Sequence, residues 1–473
     1  MAPVQTHCSS APASSPASLL RHRQRLLACG FGFVLVACGG GGGGGGPPAP
    51  PPVTPPPAAA GHTLGGTLSG LTLDGLQLSN GSELISVAAN ATQFAFANPL
   101  ASGTAYEVQV QRQPIGYQVA CALGATAKGT MGAADISVPA TCGRAAAYVH
   151  TLAGQLDRGY VDGPLGQAGF SMPHGLAVDA SGLTVYVADT DNHQIRKITR
   201  DGVTSLAGSN THYGYADGSG VNAMFHAPRG VAVDAAGNAY VADTDNNMIR
   251  KVSPTGVVTT LAGALVSGTS DGTGAAARFY APWNLAIDPA GNLIVADTGN
   301  SLIRKVTPAG VVTTLAGSAG VYGHRDGPGA TAIFNTAAAV AVDKAGNVYV
   351  ADAYNHGVRK ITPAGVVSTL AGGSEGHADG TGASASFSRP DGIGIDPAGN
   401  LYVVDTGNNL IRRVTPAGVV TTLAGNTLRK GQADGLGDSA GFDNPTCGAV
   451  NVYGEIFVCD GNMVRLIEPV LAP

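Results

Sequence analysis

From about residue 144 onward this chain writes one unit six times, and a fixed period of that size restricts the fold to a closed propeller or an open solenoid. The clearest copy spans residues 229–263, RGVAVDAAGNAYVADTDNNMIRKVSPTGVVTTLAG. Within it GVAVD, AYVADT, IRKV and VVTTLAG are short runs rich in β-branched and aromatic residues, so the unit reads as four strands. The turns between them are tight. D-A-A-G-N at 234–238 places Gly237 at the left-handed position of a three-residue hairpin loop, and S-P-T-G at 253–256 sets Pro254 at the second position of another turn.

Two markers fix the count. An aspartate recurs at Asp189, Asp243, Asp297, Asp352, Asp405 and Asp460, spaced by 53 to 55 residues, and the glycine of L-A-G recurs with the same spacing from Gly154 to Gly425. The first L-A-G precedes the first full unit, while the last unit stops near Glu468 after three strands. A ring accounts for the offset: the early strand AAYVHTLAG supplies the fourth strand of the last sheet, leaving no open first or last blade.

Asn192-His193 and Asn355-His356, each after an aspartate and before an I/V-R-K strand, resemble the NHL repeat. The resemblance covers residues 144–468 and implies an all-β, six-bladed propeller at 144–469. It implies little about activity, because propellers host unrelated functions.

The chain ahead of the repeats divides into three parts. Residues 1–37 read as an export signal: Arg21, Arg23 and Arg25, then an apolar run ending in Leu35-Val36-Ala37-Cys38. That tetrapeptide resembles a bacterial lipobox with Cys38 as the lipid-modified residue, the alternative being an ordinary secretory cleavage near Ala37. Gly rather than Asp after Cys38 implies the outer membrane, so the expected address is an exported protein lipid-anchored to the cell envelope. Residues 38–61 are a Gly-rich and Pro-rich tether. Residues 62–143 alternate apolar and polar positions between Asn-Gly, Ser-Gly and Pro turns, the pattern of a small antiparallel β-sandwich. It resembles immunoglobulin-like or transthyretin-like spacer modules.

Cysteine usage agrees with export. Cys121 and Cys142 are expected to staple the small module. In the last blade, pairing Asn451 with Glu455 puts Cys447 opposite Cys459 in a hydrogen-bonded pair, where disulfide geometry is less comfortable, so this second bridge stays open.

Candidate sites follow from comparing the six copies. Each connector carries an Asp-Gly eight residues before a phenylalanine, from Asp162 and Phe170 to Asp434 and Phe442. A calcium ring is one reading, but an Asp-Gly turn with a packed Phe suffices. Arg196, Arg250, Arg304, Arg359 and Arg412 recur across a hairpin from the marker aspartates and read as structural ion pairs. By contrast, the residue entering each inner strand beside the channel is His174, Arg229, Trp283, Ala338, Asp391 and Thr446, with no two alike. This set, with Asn284, is the expected ligand or partner face. An exposed position under no constraint is the plain alternative.

The formal charge of −5 gives no reason to expect nucleic acid, and no uncompensated basic stripe is visible. Two enzyme families share the architecture. The SMP-30/gluconolactonase-like hydrolases need a divalent metal, yet His174 stands where the first carboxylate would fall, Glu375, Glu455 and Glu468 lie elsewhere, and only Asn284 and Asp391 could be ligands. Peptide-amidating lyases need several channel histidines and an arginine, for which His174, His226 and Arg229 are the candidates. The sequence reading is therefore a monomeric, tethered binding module for a protein or small molecule, with no cofactor. A metal-dependent hydrolase or lyase is the alternative.

Overall fold

The computed structural model describes residues 61–81 and 83–472. The export signal, Cys38 and all but the last residue of the tether lie outside the described residues.

Nine strands precede the first complete blade. β1 (Leu64–Ser69), β2 (Leu76–Asn80), β3 (Glu83–Val87), β4 (Gln93–Ala95), β5 (Ala105–Arg112), β6 (Val119–Leu123), β7 (Lys128–Thr130) and β8 (Ile136–Ser137) lead to the fifteen-residue β9 (Ala140–Gly154). One sheet runs β3-β2-β5-β7, and the other joins β4, β1, the first half of β9 and β6. Leu64, Leu76, Leu78, Phe94, Tyr106 and Val138 share one core between them. Cys121 and Cys142 face each other across β6 and β9 and are bonded. The expected antiparallel pattern is broken where β1 pairs in parallel with both β8 and β9.

The propeller follows as six sheets. Blade 1 is β10 (Pro173–Val178), β11 (Val185–Asp189), β12 (Gln194–Thr199) and β13 (Gly202–Gly208), each antiparallel to the next. In the last blade the strands Pro445–Val450, Ile456–Asp460 and Met463–Leu471 are completed by β9, in register from Met463 opposite Gly154 to Leu471 opposite Ala145. The ring closes as the marker offset requires. Six apolar cores, each shared by two neighbouring blades, run around it. One of them joins Cys447, Phe457 and Val464 of the last blade to Leu176, Val185 and Val187 of the first.

One expectation needs correcting. Blades 2 to 5 have five strands rather than four. The connector after each Asp-Gly aspartate lays a two-residue strand, such as Gly218–Ser219, along the outer strand of the blade it leads into, and Gly435–Leu436 does the same to β9. Part of the outer edge of these blades is thereby covered. The boundary expected at 143 falls inside β9, which runs through it without a break. The first unit is docked on the propeller. Its 112–118 loop docks on the hairpin turns of the last two blades: the Arg112 guanidinium donates to the Val452 carbonyl at 2.8 Å and lies over the Tyr453 ring, while the buried Tyr117 hydroxyl donates to the Ile467 carbonyl and its ring meets Tyr402.

Candidate functional site

The recurrent arginines prove to be the internal frame of the blades. Arg196 donates to Asp189 at 2.8 Å and to Asp162 at 2.7 Å, and its guanidinium lies 5.2 Å from the centre of the Phe170 ring. The same triple grip holds Arg250, Arg304, Arg359, Arg412 and Arg465, all fully buried. Each connector aspartate also accepts from the outer strand, as Asp217 does from the amide and hydroxyl of Thr260. These carboxylates are thus occupied in joining connector to blade. Burial raises the inner carboxylates, Asp189, Asp243, Asp297 and Asp460 to about 6, which leaves them ionised at neutral pH against their arginines. Sequence reasoning missed Arg465, the second carboxylate and the phenylalanine seat.

The Asn-His pairs carry the contact between connectors and blades. Asn192 donates to the Gly159 carbonyl of the connector and to Asp189. His193 takes a left-handed conformation and its Nδ1 accepts the amide of Ala227 in the next blade at 3.1 Å. Asn247, His356, Asn409 and Asn462 accept from Ala281, Arg389, Asn444 and Met172 in the same way. Every residue so held, Met172, Ala227, Ala281, Arg389 and Asn444, has positive φ, as does Thr336 in the fourth blade. Such a backbone costs about 1–2 kcal/mol per residue. It is a kink that turns each connector into its inner strand.

Two residues beyond that kink stands the channel residue. In five blades the pairing between inner and second strands slips by one residue, at His174, Arg229, Ala338, Asp391 or Thr446. A bulge leaves its extra residue unpaired and re-aims the side chain. Trp283 occupies the same position, one residue ahead of the inner strand Asn284–Ile287. In blades 1 and 2 the next residue must be glycine, because the inner strands converge there: a Cβ on Gly175 would lie 2.1 Å from the Arg229 carbonyl oxygen, and one on Gly230 2.6 Å from that of Trp283.

All seven residues expected at the ligand face line one cavity of about 180 Å³ in the channel mouth, with Thr336, Tyr354, Arg389, Asn444 and Cys447. It opens on the face of the connectors and short turns, opposite the docked first unit. Ala338 is buried and supplies only wall. The Thr446 hydroxyl donates to the Pro173 carbonyl and ties the last blade to the first. Asn284 accepts the Val340 amide at 3.0 Å, so its oxygen serves the fold while its NH₂ remains at the cavity. Asp391 is bound by Arg389 at 3.2 Å, and burial raises its carboxyl. Cys447, opposite Cys459, forms the second disulfide.

His174 and Arg229 are the chemically distinctive pair. His174 Nδ1 lies 2.7 Å from the Met172 carbonyl oxygen, which can only accept, so Nδ1 carries the proton and Nε2 is left with a lone pair. Burial and the Arg229 charge depress the imidazole to about 4, keeping it neutral at physiological pH. The Arg229 guanidinium lies over the Trp283 ring, 4.7 Å from its centre. The donor set does not suit a divalent ion. No three His, Cys, Asp or Glu side chains gather for one among the described residues, Asp391 is engaged by Arg389, and the Asn284 oxygen is taken.

Six closed blades around a polar, aromatic channel mouth define a β-propeller with a variable central face. Its repeats are NHL repeats: the NHL repeat model matches residues 170–198, 279–306, 334–361 and 387–413. The chain is similar to protein SUPPRESSOR OF QUENCHING 1, chloroplastic, of Arabidopsis thaliana, 31% identical over 276 residues, covering 54% of this chain and 26% of that protein. It is similar to human NHL repeat-containing protein 2, 26% identical over 331 residues, covering 61% of this chain and 45% of that one. The chain therefore spans less than half the length of these relatives. Among solved structures it shares its fold with a structural genomics protein of unknown function (TM-score 0.54, 20% identity, 83% of this chain and 90% of that one). It shares it also with an auxiliary nutrient binding protein (TM-score 0.53, 14% identity, 86% and 98%); both are from Bacteroides thetaiotaomicron.

Proposed function

We propose that this protein is an exported, lipid-anchored recognition module that binds a ligand or partner at the channel mouth. The observation that carries the reading is the contrast between positions: the fold repeats its frame in every blade, while six unlike residues converge on one cavity. A concave site with an aromatic wall and a few polar groups is a usual recognition surface. The name of the nutrient binding protein of like fold is compatible with a small-molecule ligand. Lipid on Cys38 would hold the protein at the membrane, with residues 62–143 as the module next to the tether. That module docks on the turn face, so the channel mouth faces away from it.

The test is a thermal-shift screen of small metabolites against the wild type and Trp283→Ala. A ligand present at about 100 times its Kd stabilises the folded state by about 2.7 kcal/mol. The expected result is a ligand that raises the melting temperature of the wild type and not of the variant. If every stabilising ligand acts equally on both, the mouth is not the binding site. Anchoring is tested separately by Cys38→Ala, which is expected to move the protein from the membrane to the soluble fraction.

A further inference from the structure

We infer that the ligand of the channel mouth is a small organic carboxylate with a hydroxyl or amino group beside the carboxylate, and that Arg229 is its anchor. The inference rests on the reading of the mouth as a ligand site and names what that site takes.

Charge provides the first argument. Six arginines of the propeller are each held by two carboxylates, whereas Arg229 has neither an ion pair nor a hydrogen bond among the described residues. The mouth has one carboxylate, Asp391, and Arg389 already binds it while also donating to Asn444 at 3.3 Å. His174 is neutral. Two further carboxylates that Arg229 feels through space, Asp245 and Asp191, form no ion pair with it and do not line the cavity; Asp191 pairs with Arg158 at 3.0 Å. Among the residues that line the cavity two arginines meet one carboxylate, so Arg229 has no paired carboxylate in the lining, which matches a monoanion better than a phosphate dianion beside Asp391.

Geometry supplies the second. The Arg229 guanidinium is held against the face of Trp283, 4.7 Å from the ring centre, and its planar fork suits the two oxygens of a carboxylate. Donor and acceptor roles supply the third. His174 and Asn284 both line the cavity: with Nδ1 engaged, His174 Nε2 can accept from a donor on the ligand, and with its oxygen engaged, Asn284 has its NH₂ to donate to the ligand. The volume, about 180 Å³, falls short of the roughly 300–1,000 Å³ of sites for drug-sized molecules, so a peptide or oligosaccharide does not fit inside.

Isothermal titration of the purified full chain at pH 7 and low salt tests the inference, with lactate and alanine as hydroxyl and amino probes. Acetate, methyl lactate and inorganic phosphate are the comparators. At least one probe is expected to bind with a Kd of about 10 mM or tighter, as suits a few heavy atoms. Acetate should be weaker for want of a donor, methyl lactate should not bind, and phosphate should be weaker than the better probe. Arg229→Gln and Arg229→Lys are each expected to lose at least about tenfold in affinity, the lysine because it lacks the planar fork. No saturable heat from either probe, tighter binding of phosphate, or undiminished binding in Arg229→Gln would overturn the inference. A metabolite that needs Trp283 but is indifferent to Arg229→Gln would sink the carboxylate while leaving the recognition site standing. Lactate binding that survives both Arg229→Gln and Trp283→Ala would place it outside the mouth and refute the assignment.

Discussion

Arg229 and Arg250 belong to the same blade and meet opposite fates. Arg250 is fully buried, held by Asp243 and Asp217 at 2.7 Å each, and seated on Phe225. Arg229 is half-buried at the channel mouth, where Trp283 gives it a face and no carboxylate pairs with it. The first is one of six identical solutions to one packing problem, that of fastening a connector to the blade it leads into. The second occurs once. A repeat protein thus separates its fold from its site by position, since what every blade needs is copied and what the channel presents is free to vary.

The comparison can be broken from either side. Arg304→Met should be the most damaging change, because it leaves Asp297 buried and unpaired, and losing one partner of a buried pair costs about 3–5 kcal/mol. Denaturant unfolding measures it, and adding Asp297→Asn should recover part of the loss. If Arg304→Met is mild, the triple grip is not the frame of the blade.

His174→Gln sharpens the channel side. With the folded imidazole depressed to about 4, the unfolded chain takes up the proton first as pH falls below about 6.5. Stability is therefore fully present above that pH and is lost toward pH 4, by about 3 kcal/mol for this one group. The variant should show a shallower fall of unfolding free energy between pH 7 and pH 4.5, and an unchanged slope would mean that His174 is not held neutral. Asn247→Gly keeps the left-handed backbone but removes the acceptor for Ala281, and should cost about 1 kcal/mol. Arg229→Gln should change stability by less than about 0.5 kcal/mol. A large loss there would return Arg229 to the frame.

Much of this frame was legible beforehand, because period, turn chemistry and strand propensity are local. The offset between the two markers even revealed how the ring closes. The channel residues were legible by a different route, as the one column where six copies disagree. Other features escaped. Arg465 follows Asp460 by five residues where Arg196 follows Asp189 by seven, since the turn in the last blade is shorter, so counting by a constant offset passes over it. The connector aspartates read as turn residues because nothing in their spacing shows that the connector folds back along the outer strand of its blade. Asn284 was legible as a channel residue, but its bond to Val340 was not.

By itself the sequence determined the six blades, their closure by β9, the marker ion pairs and the column of unlike residues, all consequences of periodic local patterns. Only the tertiary structure decided that Cys447 and Cys459 are joined, that the first unit is clamped to the turn face, and which arginine is left without a carboxylate. Those facts depend on contacts between segments far apart in the chain. There, proximity is set by how blades close around an axis, and no local rule of spacing contains it.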